Sequence, residues 1–444
     1  MSSDVGAIDT RRVWGARVAL GLFALVSVWL AVAPAVADSR IVLATAGGSP
    51  GWLLGVFRFA GADSLAGPNA GWTFYSVLMV AIVLWAVVVW LADSLSARGL
   101  WGAVVGLCFV FLLAPPILSQ DVFSYIAYAR LGVEHGLNPY SHRPFDIPGD
   151  PVFGFAGSKD AVDVYGPVFT LVTYPLAWLS VGAAFWVLKF VAFASTLGLV
   201  AIVRSVAERL STSSARAVAV VGLCPATLVH VVAGGHNEAL TMLVLLGGVA
   251  LFVAAEGSAS RERLGGFVGG LSVAIKASTL VPLPFMLLAA RNKLQTFLGM
   301  LAAGVLAVAV GVIAFGSDAL NGLNLISSNQ ERSSRWSLPH RSVDGLDAVF
   351  GIVDRSAATD AVRGVFVVVL AAVVVWLLWR TWKLPETWIE NAGWATLGVL
   401  LASAWLVPWY LLWLLPFAAL SRSRWLIAAT VVFAGYTMAI AIPF

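Results

Sequence analysis

The sequence predicts an all-α polytopic membrane protein, and three observations carry that expectation. Of its 444 residues, 60% are hydrophobic and only 11% charged, with a mean hydropathy of +0.91, a composition no ordinary soluble domain carries. Apolar runs of membrane length, about 17 to 25 residues, recur along the chain. Basic residues gather at the ends of those runs, where orientation signals sit. The 27 basic and 23 acidic residues leave a formal charge of +4, too small a bias to call for nucleic acid. Residues 1–444 therefore read as one integral membrane domain.

The first run, 13 to 36, follows Arg11 and Arg12 and ends in Ala35-Val36-Ala37, which has the small-residue spacing of a signal-peptide cleavage site. An uncleaved first span is the preferred expectation, and either reading leaves the next loop outside. Further runs follow at 73 to 92, 100 to 118, 183 to 203, 216 to 233, 239 to 255, 294 to 316, 362 to 380, 391 to 407 and 424 to 442. Cys108 and Cys224 both lie within such runs and read as small buried hydrophobes.

Three stretches are ambiguous. Residues 264 to 290 carry Lys276 at their centre and basic residues at both ends, Arg261 and Arg263 before, Arg291 and Lys293 after. The positive-inside rule then favours a hairpin of two short halves with Lys276 at its tip over a single span. Each half, about 13 residues or about 20 Å of helix, falls short of a hydrocarbon core of about 30 Å. Pro167 to Leu179 reads as an interfacial or re-entrant helix, and Pro408-Trp409-Tyr410 as an outer turn. The expected total is about 13 passes, N-terminus inside. Two large loops then emerge on the outer face, 119–182 and 317–361. All five histidines, with Lys189, Glu238 and Lys276, fall at or near that level. Costly ionisable groups gathered on one side place the working site at the outer interface, whereas a transporter would hold them nearer the midplane.

Within loop 119–182 the segment QDVFSYIAYARLGVEHGLNPYSHRP turns polar directly after a membrane run. Two roles are open to Asp121 at its head: a general base for an acceptor hydroxyl, or the N-cap of the helix that follows. The Asn138-Pro139-Tyr140 turn and the Tyr165-Gly166-Pro167 turn either shape a sugar pocket or reverse the chain with aromatic anchors at the headgroups. Gly234-Gly235-His236-Asn237-Glu238 is a tight turn between runs, a hydrogen-bonding rim for a polar substrate or a plain connection; two candidate ligands fall short of a metal site, and no metal is expected. Lys276 needs an anion, and snorkelling to headgroups is the alternative to binding a substrate phosphate. Residues 331 to 341 add Arg332, Arg335, His340 and Arg341, which beside Lys276 read as a phosphate clamp.

Together, DVFSY, VYGPVF, GGHNEAL, the Lys276 stretch and PWY near the end resemble the GT-C superfamily of membrane glycosyltransferases, over most of the chain. The combination is similar to the polyprenol-phosphate-mannose-dependent alpha-1,6-mannosyltransferases of actinobacterial lipomannan synthesis. The resemblance implies a GT-C-like fold and a catalytic Asp in an outer loop after a membrane helix, a position Asp121 fits. It departs from the simplest pattern because two extra spans precede that loop. It further implies inverting transfer of a sugar, mannose by resemblance alone, from a polyprenyl monophosphate donor to a lipid-linked glycan acceptor at the outer face of the cell membrane. In this expectation Asp121 is catalytic, Lys276, Arg335, His340 and Arg341 hold the donor phosphate, and Tyr125, Asn138, Tyr140, Tyr165, His236, Asn237 and Glu238 bind substrate. No cofactor is expected, since cationic side chains suit a monophosphate leaving group. A lipid-linked sugar flippase or other transporter is the rival class.

Overall fold

The computed structural model describes residues 3–36, 38–42, 49–321, 334–335 and 337–440, and among these every regular element is helical. The helices are α1 (Ser3–Val32), α2 (Gly51–Leu54), α3 (Ala70–Leu91), α4 (Ala97–Leu113), α5 (Asp121–Val133), α6 (Pro167–Thr173), α7 (Val181–Arg209) and α8 (Ser214–Gly222). They continue with α9 (Glu238–Val253), α10 (Ala259–Leu271), α11 (Leu283–Ala289), α12 (Lys293–Phe315), α13 (Leu338–Phe350), α14 (Arg355–Lys383), α15 (Trp388–Ala402), α16 (Leu415–Leu420) and α17 (Arg424–Ile440).

Among the described residues five helices are long and apolar enough to cross a membrane: 10–32 of α1, α3 with its extension to Ser94, α7, α12 with its extension to Leu320, and α14. A sixth is a bent pair. The run expected as one span at 216 to 233 is α8 followed by a π-helical segment, Ala226–Val232, at an angle of 47°. Pro225 sits at the break, where it can neither donate to the helix nor accommodate the carbonyl four residues earlier. Shorter apolar helices fill the rest, among them Ala97–Leu113, Glu238–Val253 and Pro408–Leu420. Polar residues begin several helices by accepting an otherwise unpaired amide: Ser96 from Gly99, Ser180 from Ala183, Ser213 from Arg216, Asp354 from Ala357.

The buried core lies between α1, α3, α4, α7, α8, α9 and α15 to α17, and both cysteines are free and fully buried in it. α12 and α14 expose their apolar faces instead: Ile313 is 86% exposed, and Val365, Val367 and Val368 are each more than half exposed. Hydrocarbon is the surrounding that such faces require. Helix α10 packs into the angle of α9 and α12 on glycines. A Cβ at Gly248 would lie 2.4 Å from the Gly269 nitrogen, and one at Gly299 2.0 Å from the Arg263 carbonyl oxygen, so only backbones without side chains approach this closely.

The stretch 264 to 290 is not one continuous helix. The backbone at Lys276 is extended (φ −155°, ψ 124°) between two short 3-10 turns, and the stretch divides into α10 and α11. Pro167 to Leu179 is likewise short, α6 followed by a 3-10 turn over Tyr174–Trp178, and Pro408–Trp413 is a 3-10 turn leading into α16. These interruptions, with α5, surround the polar site.

Candidate active site

Asp121 is the first residue of α5. Its own amide is held by the Ser119 hydroxyl, which accepts at 3.2 Å, and among the described residues its carboxylate caps no helix amide. The N-cap role open in the sequence is therefore not what this carboxylate does. Helix α5 is fixed from behind: Phe123 stacks on Phe185 of α7 with centroids 5.5 Å apart and planes at 11°, and Val122 packs against Gly235. Asp121 is thereby presented toward His236, with Oδ2 3.7 Å from Nδ1.

His236 follows Gly235, whose positive φ of +67° reverses the chain after the π-helical segment. Its amide donates to the Val231 carbonyl at 3.0 Å, and its ring lies against Trp409, centroids 4.1 Å apart. Glu238, fully buried at the start of α9, uses its two oxygens differently. Oε1 pairs with the Lys276 ammonium, and Oε2 stands 3.6 Å from His236 Nδ1. Lys276 Nζ also lies 3.5 Å from Asn237 Oδ1. Around the ammonium are the rings of Tyr165, Tyr410 and Trp413 at 5.4, 5.2 and 5.7 Å, close enough for cation–π attraction.

Many polar atoms in this small volume are buried with no hydrogen-bond partner among the described residues: Tyr125 Oη, both ring nitrogens of His236, Asn237 Nδ2, Glu238 Oε2 and Trp413 Nε1. Leaving such a group unpaired costs about 1–3 kcal/mol. A concentration of them around one carboxylate and one ammonium fits a ligand rich in hydroxyl and phosphate oxygens.

Packed protein encloses Asp121 on most sides, while 31% of its side chain stays open to the site. Burial raises its carboxyl from 3.8 to about 6, against a lowering by Lys276 and with a further rise from Glu238. Burial, then Lys276 and His230, push His236 well below its ordinary value, so the imidazole is neutral at pH 7. Burial chiefly, with the neighbouring carboxylates and tyrosine, raises the Tyr125 and Tyr165 phenols, which remain donors. Among the described residues no group of three His, Cys, Asp or Glu side chains is placed to hold a metal ion.

The structure thus brings together Asp121, Tyr125, Tyr165, His236, Asn237, Glu238 and Lys276. Asn138 and Tyr140 lie behind this group with their polar atoms engaged by protein. Asn138 Nδ2 donates to Phe315 O at 2.8 Å and lies 3.1 Å from Asp318 Oδ2; Tyr140 Oη donates to Tyr165 O at 2.8 Å and meets Thr170 Oγ1 at 3.0 Å. Buried Asp163 accepts from the Tyr165 amide at 2.8 Å and from Thr170 Oγ1 at 2.7 Å, and the Gly166 amide donates to Ile275 O at 3.0 Å. A Cβ at Gly166 would come within 2.1 Å of Ala274 O. This network sets Tyr165 against Lys276.

His340 and Arg341 lie on α13 beside Asp344, 3.8 and 3.2 Å from its Oδ2, and Arg335 lies next to Ser334, whose amide donates to Ala404 O. Arg332 falls outside the described residues. The aromatic set Trp409, Tyr410 and Trp413 was not foreseen as part of the site. Its sequence signal is PWYLLW, whose rings a short 3-10 turn gathers beside His236 and Lys276.

A family model described as "Alpha-(1->6)-mannopyranosyltransferase, N-terminal domain" matches residues 39–292, and one described as "MptB C-terminal domain" matches residues 343–444. Alpha-(1->6)-mannopyranosyltransferase A of Mycobacterium tuberculosis is 25% identical over 357 residues, covering 75% of this chain and 67% of the relative. The protein of that name from Corynebacterium glutamicum is 24% identical over 353 residues, 71% of this chain and 69% of the relative. A probable alpha-(1->6)-mannopyranosyltransferase of Mycolicibacterium smegmatis is 25% identical over 350 residues, 69% of this chain and 62% of the relative. The chain spans about two thirds of the length of these relatives. No solved structure matches it.

Proposed function

The chain belongs to the alpha-(1->6)-mannopyranosyltransferase family of glycosyltransferases, and from that premise we propose that it moves mannose from a polyprenyl monophosphate donor to a hydroxyl of a lipid-linked glycan. The reaction takes place at the extracytoplasmic face of the cell membrane and serves the synthesis of envelope lipoglycan. The observation that carries the reading is the meeting of Asp121, His236, Glu238 and Lys276 among buried, unpartnered polar atoms.

Transfer proceeds by single displacement. Asp121 takes the proton of the acceptor hydroxyl as that oxygen attacks the anomeric carbon. The bond from that carbon to the phosphate oxygen breaks, and the lipid phosphate leaves with its electron pair. Lys276 stabilises the charge that develops there. Its ammonium has three N–H donors; Glu238 takes one and Asn237 lies near a second, so the remaining donor serves a phosphate oxygen. The nearby rings hold the ammonium in place without neutralising it. Tyr125, Tyr165, His236 and Asn237 orient the sugar and acceptor hydroxyls, while Arg335, His340 and Arg341 attract the donor phosphate from the outer side. Asn138 and Tyr140 support this pocket from behind.

The test is a transfer assay on the purified protein in lipid, with polyprenyl-phosphate mannose and a short mannoside acceptor. Formation of the lengthened mannoside together with free polyprenyl phosphate is the expected result. Consumption of neither substrate, or hydrolysis of the donor with no transfer, would overturn the proposal.

A further inference from the structure

Lys189 has no part in the chemistry above, yet it is completely buried within the membrane-length helix α7. Lysines in such helices ordinarily extend toward the headgroups. This one turns inward and has no carboxylate partner among the described residues. Its Nζ donates to two backbone carbonyls at the C-terminal end of α4, Phe111 O at 3.1 Å and Ala114 O. Two rings of α7 flank it, Phe185 at 5.6 Å and Trp186 at 5.0 Å. If only space-filling were needed, an amine would be a costly way to supply it. The useful property is donation to carbonyls at a helix end, where Phe111 O also accepts from the Ala114 amide at 3.3 Å.

Those carbonyls open the linker that carries Asp121. From Ala114 the chain runs Pro115, Pro116, Ile117, Leu118, Ser119, Gln120 to Asp121. It is short and stiff: two prolines fix their own φ, and Leu118 adopts a positive φ of 59°, held by its amide's bond to Ile41 O at 3.0 Å. A linker of this kind transmits the position of its root. Lys189 also runs close to the other side of the site, its Cγ 3.4 Å from where a Cβ of Gly235, the residue before His236, would stand. The adjoining Phe185 carries the ring of Phe123 on α5.

We infer that Lys189 is a positioning residue, which pins the end of α4 and with it the placement of Asp121 opposite His236. The inference rests on the role proposed for Asp121. It acts through geometry, because the charged groups that bear on the Asp121 carboxyl are Lys276 and Glu238.

The experiment is steady-state transfer by Lys189→Met, which keeps the apolar stem and removes the donor, assayed per folded molecule in lipid. A displacement of about 1 Å costs on the order of 10²-fold in rate. The expected result is a kcat lower by roughly that factor, donor KM within about twofold of wild type, and the acid limb of the pH profile unmoved. Lys189→Gln, a shorter side chain that still donates, should fall between Met and wild type in kcat. An unchanged kcat per folded molecule in Lys189→Met, or a Gln variant no better than Met, would overturn the inference. If Asp121→Asn retained transfer, the base assignment would be what failed; with that variant inactive, wild-type kcat in Lys189→Met refutes the positioning role alone.

Discussion

Replacing Asp121 by Asn changes the chemistry of one side chain and almost nothing of its shape. Among the described residues the carboxylate caps no helix amide, so no such bond is lost, and its Oδ2 lies 3.7 Å from His236 Nδ1. The fold should therefore be held to within about 0.5 kcal/mol. The chemistry should not survive. A positioned general base contributes about 10²–10⁴-fold, or about 2.7–5.4 kcal/mol of barrier at 1.36 kcal/mol per tenfold. The pH profile supplies an independent signature. Burial lifts the Asp121 carboxyl to about 6, and only the deprotonated form accepts a proton. The rate should then rise with pH through that value and level off above it, with roughly a tenth of the base active at one unit below and roughly nine tenths at one unit above. Initial rates across this range, with folding followed in parallel, distinguish the outcomes. An Asn variant within tenfold of wild type, or one that keeps the same acid limb, would refute the assignment.

Three further outcomes follow from the same geometry. Lys276→Met should raise the donor KM and move the acid limb of any residual activity above about 6, because Lys276 lowers the Asp121 carboxyl; an unaltered limb and donor dependence would return Lys276 to a structural role. Asp163, lifted by burial to about 7 from 3.8 despite bonds from Tyr165 and Thr170, holds a proton in the folded state that the unfolded chain has lost between those values. Folding stability from this group therefore falls as pH rises through that window and levels off above about 7; the difference in melting temperature between wild type and Asp163→Asn should change over that range and not above it. Full transfer activity is expected to persist in the presence of a chelator, whereas its loss would reopen His236 and Glu238 as metal ligands.

Much of the architecture is legible because a membrane imposes a length. Runs such as 73 to 92 and 294 to 316 correspond closely to α3 and α12, since a helix is the way a single apolar segment satisfies its own backbone in lipid. The break at Lys276 was readable too, from flanking cations and the shortness of each half. The bend at 216 to 233 is a local matter that Pro225 could have flagged within an otherwise apolar run. Asp121 was visible as a carboxylate at a helix start, but whether it capped that helix depended on where Ser119, Phe185 and Gly235 placed it, and local spacing carries no such information. The same limit hid Trp409, Tyr410 and Trp413, whose neighbours Lys276 and His236 lie more than a hundred residues away in the chain. It hid the buried donor of Lys189 for the same reason.

The anomeric configuration of the product, read by NMR after transfer from a polyprenyl-phosphate mannose of defined anomer to a simple mannoside, tests the central claim most directly. Single displacement with Asp121 as base predicts a new linkage of configuration opposite to that of the donor. A product that retained the donor's configuration would contradict it.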